Sequence, residues 1–233
     1  MDSNAVGAPQ VIATMDIGGI KKGDTFDNVQ DLLQALITPY KAPTWSQSLN
    51  PGKVEKGINT GITAKVNFTA QSNPVTEVVI DGTNFPITTE SGYKEKPITI
   101  EKDTTSKTVN FSIKDNTGNV LTESLPVTIE GKFKLIFSTK SSLTATEIHD
   151  MDNDSDCVVR EFFAAKSHTV TNTIAGSYTY FIVPSKYSIN SIKDSMGTAV
   201  NYSQINTLDV YQHDSSLTES YRIYRTAGTS SPG

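Results

Sequence analysis

The chain has 233 residues, a formal net charge of -5 and a single cysteine, Cys157. One cysteine excludes an internal disulfide framework and any multi-cysteine metal site. The mildly acidic balance argues against nucleic acid as a partner, and no apolar run reaches the roughly 18–20 residues a bilayer-spanning helix needs. Thirty threonines and 24 serines lean the composition toward strands, because β-branched residues fit a pleated surface. The length suits about two domains of roughly 100 residues, each with its own core.

The first ten residues carry neither a basic start nor an apolar stretch, so the reading is no secretory leader. Ile17-Gly18-Gly19-Ile20-Lys21-Lys22-Gly23 reads as a turn. A phosphate-binding loop needs a preceding strand and a following Lys-Ser/Thr pair, and neither is present. Residues 27–38 predict a short amphipathic helix. Val29, Leu32, Leu33, Leu36 and Ile37 recur at the spacing of one apolar stripe. Asp27 or Asn28 is placed to cap it, and Pro39 to end it. Three turns are marginal alone in water. The stripe therefore packs on the chain's own core or docks on another surface or copy.

Residues 41–52 carry two prolines among small polar residues and read as a linker or domain boundary. From Ile62 to Ala70 the period changes to two, with Ile62, Ala64, Val66, Phe68 and Ala70 on one face. Strands follow at Val75–Asp81, Asn84–Thr88, Pro97–Glu101, Thr108–Lys114 and Glu123–Glu130. Asp81-Gly82 and Asp115–Asn119 supply hairpin turns. Short strands at this spacing predict an immunoglobulin-like β-sandwich over 51–130.

Residues 131–233 predict a second β domain, with strands at Lys132–Ser138, Val158–Ala165 (strand or short helix), Ser177–Pro184, Ser188–Lys193, Leu208–Tyr211 and Ser220–Arg225. Seven of the nine tyrosines lie beyond residue 170. Tyr178, Tyr180, Tyr221 and Tyr224 are candidates for surface recognition of a glycan or protein, against the plainer reading of strand residues at a core rim. Asp150, Asp152 and Asp154 fall at positions 1, 3 and 5 of a calcium loop, with Glu161 at position 12. Ser155 stands where such a loop needs glycine and no helical pattern precedes it, which favours a solvated acidic loop and no bound metal. His149, His168 and His213 show no ligand spacing, and no nucleophile elbow or metalloprotease motif occurs. The expectation is a non-enzymatic protein with no catalytic residues and no cofactor.

The fold class expected is mostly β: an N-terminal docking segment over 1–50 with one helix, the sandwich, and the C-terminal domain. Three stretches carry a family resemblance. Asp16–Phe26, with the helix and Thr38-Pro39-Tyr40 after it, resembles the start of virion structural proteins of tailed bacteriophages, of the kind found in crAss-like phages of gut Bacteroidetes. Tyr178–Ser185, Ile192–Gly197 and Tyr221–Thr226 resemble the end domains of the same fibre-like proteins. The resemblance implies a head fibre or capsid decoration, or a tail or baseplate adhesin of the same build. It places the protein in the virion, assembled in the host cytoplasm, with capsid or other virion proteins as partners, homo-oligomers (trimers above all) and a host-surface glycan as a further partner. The rival class is a bacterial carbohydrate-binding or adhesion module.

Overall fold

The computed structural model describes residues 11–14, 20, 23–37, 40–151, 158–163, 165, 167–169, 176–194 and 196–228. Among these the chain is mostly β, with fifteen strands and two short helices. Contacts divide it into two units: 1–48, 64–96 and 109–125 form the first, and 49–63, 97–108 and 126–233 the second.

The first unit begins with a two-stranded ribbon, β1 (Val11–Ile12) and β2 (Thr25–Phe26), paired antiparallel. Helix α1 (Val29–Ile37) follows. Asn28 rather than Asp27 caps it: its Oδ1 accepts from the Asp31 amide at 2.9 Å, and its amide group donates to the Asp31 carboxylate at 2.9 Å. The alternation predicted from Ile62 is realised in β5 (Thr60–Thr69), where Ile62, Ala64, Val66 and Phe68 are buried. It sits between β3 (Thr44–Asn50) and β8 (Ser91–Ile100) in a three-stranded sheet. A five-stranded sheet has the order β4 (Lys53–Glu55), β10 (Val120–Glu130), β9 (Lys107–Asp115), β6 (Val75–Ile80), β7 (Thr83–Pro86). The turn between β6 and β7 is Asp81-Gly82, both with positive φ, closing the Ile80–Thr83 pair. That is the geometry a two-residue hairpin prefers. Val75, Val78, Ile80, Val109, Phe111 and Ile113 supply the buried faces of β6 and β9.

Asp115 holds the end of β9. Its Oδ1 accepts from the Thr117 amide, the Thr117 hydroxyl and the Asn119 amide at 2.8–3.0 Å. Tyr40 donates its hydroxyl to Oδ2 at 2.8 Å. Burial pushes this carboxyl up, but those hydrogen bonds outweigh it and hold it well below the usual carboxylate range.

The second unit is built on an antiparallel sheet of order β12 (Val158–Phe162), β11 (Phe133–Ser138), β13 (Tyr178–Pro184), β15 (Thr218–Thr226), β14 (Tyr202–Tyr211). Its core joins Ile136, Tyr180, Ile182, Val210, Tyr221 and Ile223 to Leu143, Ile148 and Met151 around helix α2 (Ala145–Asp150). Thr144 starts α2 with a reciprocal cap: its hydroxyl accepts from the Glu147 amide, and its own amide donates to the Glu147 carboxylate at 2.8 Å.

Three sequence expectations change. Thr44–Asn50 is a strand, not a linker, with Trp45, Gln47 and Leu49 half-buried on one face. Ser188–Lys193 forms no strand; only a Lys193–Ala199 bridge occurs there. The flank before Asp150 is helical, because a single capped turn and a half is too short to show a periodicity. The turn at 17–22, apart from Ile20, and the calcium candidates Asp152 and Asp154 lie outside the described residues, as does Cys157.

Candidate functional site

Two places stand out, one in each unit. In the first, α1 buries none of its residues. Val29, Leu33, Leu36 and Ile37 are 59%, 51%, 38% and 75% exposed, and Leu32 is half-buried. An apolar stripe of this size is costly to leave in water. Beside it lies an open hollow of about 760 Å³ lined by Ile20, Phe26, Ala35, Ile37, Tyr40 and several polar residues.

The second place is a seam of charges in the second unit. Strand β4 pairs in parallel with the end of β10, bringing Glu55 beside Glu130. Glu130 is 1% exposed. Its carboxylate meets the Lys53 ammonium at 2.6 Å and the Lys186 ammonium, and accepts the Tyr187 hydroxyl at 2.8 Å. Glu55 is also buried. Its Oε2 meets Lys132 Nζ at 2.6 Å and its Oε1 meets His213 Nε2 at 2.6 Å. Burial alone would raise both carboxyls. The hydrogen bonds from Lys186, Lys53 and Tyr187 to Glu130, and from Lys132 and His213 to Glu55, outweigh it, so both stay below the ordinary glutamate value. Lys56 pairs with Glu219, and the buried Lys134 pairs with Glu161 at 2.5 Å.

Within this seam Glu55, Glu161 and His213 converge. One ligand atom from each lies within 4.8 Å of the others. Backbone geometry fixes all three. Glu55 is on β4 and Glu161 on β12, opposite Lys134 of β11. His213 is in the β14–β15 turn with φ +49°, an uncommon left-handed conformation for a side-chain-bearing residue. The His213 carbonyl faces His149 Nε2 at 3.0 Å, and His149 Nδ1 faces the Asp150 carboxylate at 2.8 Å. The Asp150 hydrogen bond leads the contacts that raise the His149 pKa.

The sequence-predicted residues are placed as follows. Of the four recognition tyrosines, Tyr180 and Tyr221 are fully buried and Tyr224 is 7% exposed. The exposed aromatic platform expected of them is therefore corrected to core. The alternation of β13 and β15 turns Tyr180 inward with Ile182, and Tyr221 inward with Ile223. Tyr180 donates its hydroxyl to the Lys140 carbonyl at 2.6 Å, and Tyr221 donates to the Lys132 carbonyl at 3.0 Å. Tyr178 is half-buried, with the Arg225 guanidinium 4.5 Å over its ring. Of the calcium candidates, Asp150 partners His149 and Glu161 partners Lys134. Of the residues expected to dock or oligomerise, Val29, Leu33, Leu36 and Ile37 are exposed and Leu32 is half-buried.

Sequence reasoning did not find the Glu55–Glu161–His213 convergence. No local spacing links these residues; only the sheet topology joins them. No protein-family model matches the chain, and no curated protein matches its sequence.

Proposed function

We propose that the chain is a non-enzymatic structural protein of a tailed-bacteriophage virion, a head fibre or capsid decoration, that docks through its N-terminal part. The observation that carries the reading is α1, whose apolar stripe stands exposed. Covering Val29, Leu33, Leu36 and Ile37 would contribute about 4–7 kcal/mol before ordering costs, enough to decide a docking event. The resemblance of Asp16–Phe26 and of the C-terminal strands to fibre-like phage proteins supports the same assignment. In this reading the alternating strands of the first unit form an immunoglobulin-like sandwich that serves as a spacer, and the fibre is a homo-oligomer, a trimer above all. With Tyr180, Tyr221 and Tyr224 in the core, a glycan-attachment role has no aromatic platform from them.

Substituting Leu33→Asp and following incorporation into particles tests the reading. Leu33 is half exposed and α1 buries no residue, so the β units should melt unchanged while incorporation or oligomerisation is lost. Normal incorporation of the variant refutes docking through α1. Finding the chain on the tail alone, in a particle reconstruction, favours the adhesin of the same build over the head fibre.

A further inference from the structure

The charged seam holds one feature that ion pairing alone leaves open. We propose that Glu55, Glu161 and His213 form a binding site for a zinc-like first-row divalent cation, which would clasp β4, β12 and the β14–β15 turn together.

The donor set is the first argument. One imidazole and two carboxylates suit zinc, which takes mixed nitrogen and oxygen ligands, whereas calcium and magnesium prefer oxygen alone. Geometry is the second. The three ligand atoms lie within 4.8 Å of one another. His213 Nε2 and Glu55 Oε1 are 2.6 Å apart. Two ligands of one tetrahedral zinc stand about 3.2–3.5 Å apart, since each bond is about 2.0–2.1 Å. A cation between these two would part them by less than about 1 Å, while the Glu161 carboxylate closes inward to reach it. His213 then binds through a deprotonated Nε2, and any proton held there leaves to solvent.

Third, the buried Glu161 Oε1 meets the Lys134 ammonium at 2.5 Å, a charge-assisted contact that uses one of its two lone pairs. An oxygen so placed has lone-pair capacity left for a cation. Fourth, the ligand on the turn is pre-set. The backbone of His213 is left-handed, and its carbonyl is held by His149 at 3.0 Å. Both features fix the backbone that carries the ring. Lys132 and Lys134 already neutralise the two carboxylates, so the cation competes with them. Lys132 is 28% exposed and able to turn toward water, leaving Glu55 to the metal. That competition implies micromolar rather than nanomolar affinity.

The experiment titrates the full chain with zinc chloride by calorimetry and thermal melting, with magnesium and calcium chloride as controls, at pH 7.5 and at pH 5.5. One saturable zinc site is expected, with a rise in melting temperature, weaker binding at the lower pH because protons compete for the imidazole, and no response to magnesium or calcium. His213→Ala and Glu161→Gln should each weaken zinc binding by about 100-fold or more, beyond the loss typical of an outer-shell partner. X-ray absorption on the zinc-loaded wild-type chain should show one imidazole nitrogen among oxygen donors, and this readout holds even if a variant fails to fold. Absence of saturable zinc binding, unchanged affinity in His213→Ala, equal response to magnesium, or a spectrum with two or more imidazoles would each overturn the site.

Discussion

The contact between Gly131 and Tyr221 makes the sharpest quantitative prediction. Gly131 follows β10 and precedes β11. A Cβ added there would lie 2.2 Å from Tyr221 Oη, 2.9 Å from Gln212 Oε1 and 3.1 Å from Glu219 Cγ. A carbon and an oxygen in contact need about 3.3 Å, so Gly131→Ala overlaps the hydroxyl by about 1 Å and should cost about 2–3 kcal/mol as an overpacked core. Tyr221→Phe removes the hydroxyl that donates to the Lys132 carbonyl and lies 3.2 Å from Gln212 Oε1. With both acceptors at a fully buried ring, that should cost about 1–2 kcal/mol. The double variant sets the alanine methyl into the space the hydroxyl leaves. Its destabilisation should therefore fall short of the sum by at least about 1 kcal/mol, a coupling outside the additivity of independent sites. Chemical denaturation of the four chains, each fitted at constant slope, reads this directly, and about 2–4 °C of melting temperature should accompany each kcal/mol. Additive losses would mean that the glycine is not held by the tyrosine hydroxyl, and the explanation would fail.

Other expectations are as concrete. Gly57 has φ +92°, and a Cβ there would lie 2.4 Å from the backbone oxygen of Gln212, so Gly57→Ala should destabilise by about 2 kcal/mol or more and disturb the adjoining His213 turn, seen in melting and in the His213 ring resonances. Asp115→Ala should cost about 2–4 kcal/mol, because it leaves four donors of the 115–119 turn and the Tyr40 hydroxyl without their acceptor; Tyr40→Phe should cost less, about 1–2 kcal/mol, and a reversed order in denaturation would contradict the network. The Lys140 hydrogen bond, with those from Thr144, lowers the Glu147 pKa from 4.5 to about 2. A lowered carboxyl contributes stability above its unfolded pKa and loses it as protons bind, so this contribution should fade between about pH 4.5 and pH 2. Thr144→Ala should cost about 1 kcal/mol at pH 7 and less at pH 2.5. His149 has the opposite sign. Its pKa is raised above 6.5, so its contribution is full below about pH 6.5 and lost as pH rises past the folded value. His149→Gln should flatten the neutral-to-alkaline limb of a stability–pH curve, and an unchanged limb would count against the His149–Asp150 pair.

Much of the β framework was legible because its physics is local. In β5 and β9 one buried face alternates with one polar face, and Asp81-Gly82 is the chemistry a tight hairpin demands. Where burial is weaker the signal thins. Strand β3 is TWSQSLN, half-buried on one face only and flanked by Pro43 and Pro51, so turn chemistry masked a real alternation of Trp45, Gln47 and Leu49. Helix α2 announced itself only through Thr144 and Glu147, the two ends of a capping box. For Tyr180 and Tyr221 the signal was present and outweighed: each shares the inward parity of an isoleucine two residues on, and parity in a strand decides burial more firmly than residue type.

Nothing local could reveal the charged seam, since Glu55, Glu130, Glu161 and His213 owe their proximity to the sheet order. Its presence bears on the composition. A chain with one cysteine has no internal disulfide with which to tie β4 to the C-terminal strands. Buried carboxylates with two or three partners each perform that tie instead. Removing one partner of such a pair costs about 3–5 kcal/mol, whereas the intact pair contributes little net stability. The seam therefore acts on specificity: it penalises any register that leaves Glu55 or Glu130 without its ammonium, and so fixes β4 against β10 where the Lys53–Glu55 backbone pairing, three residues long, is too short to do so alone.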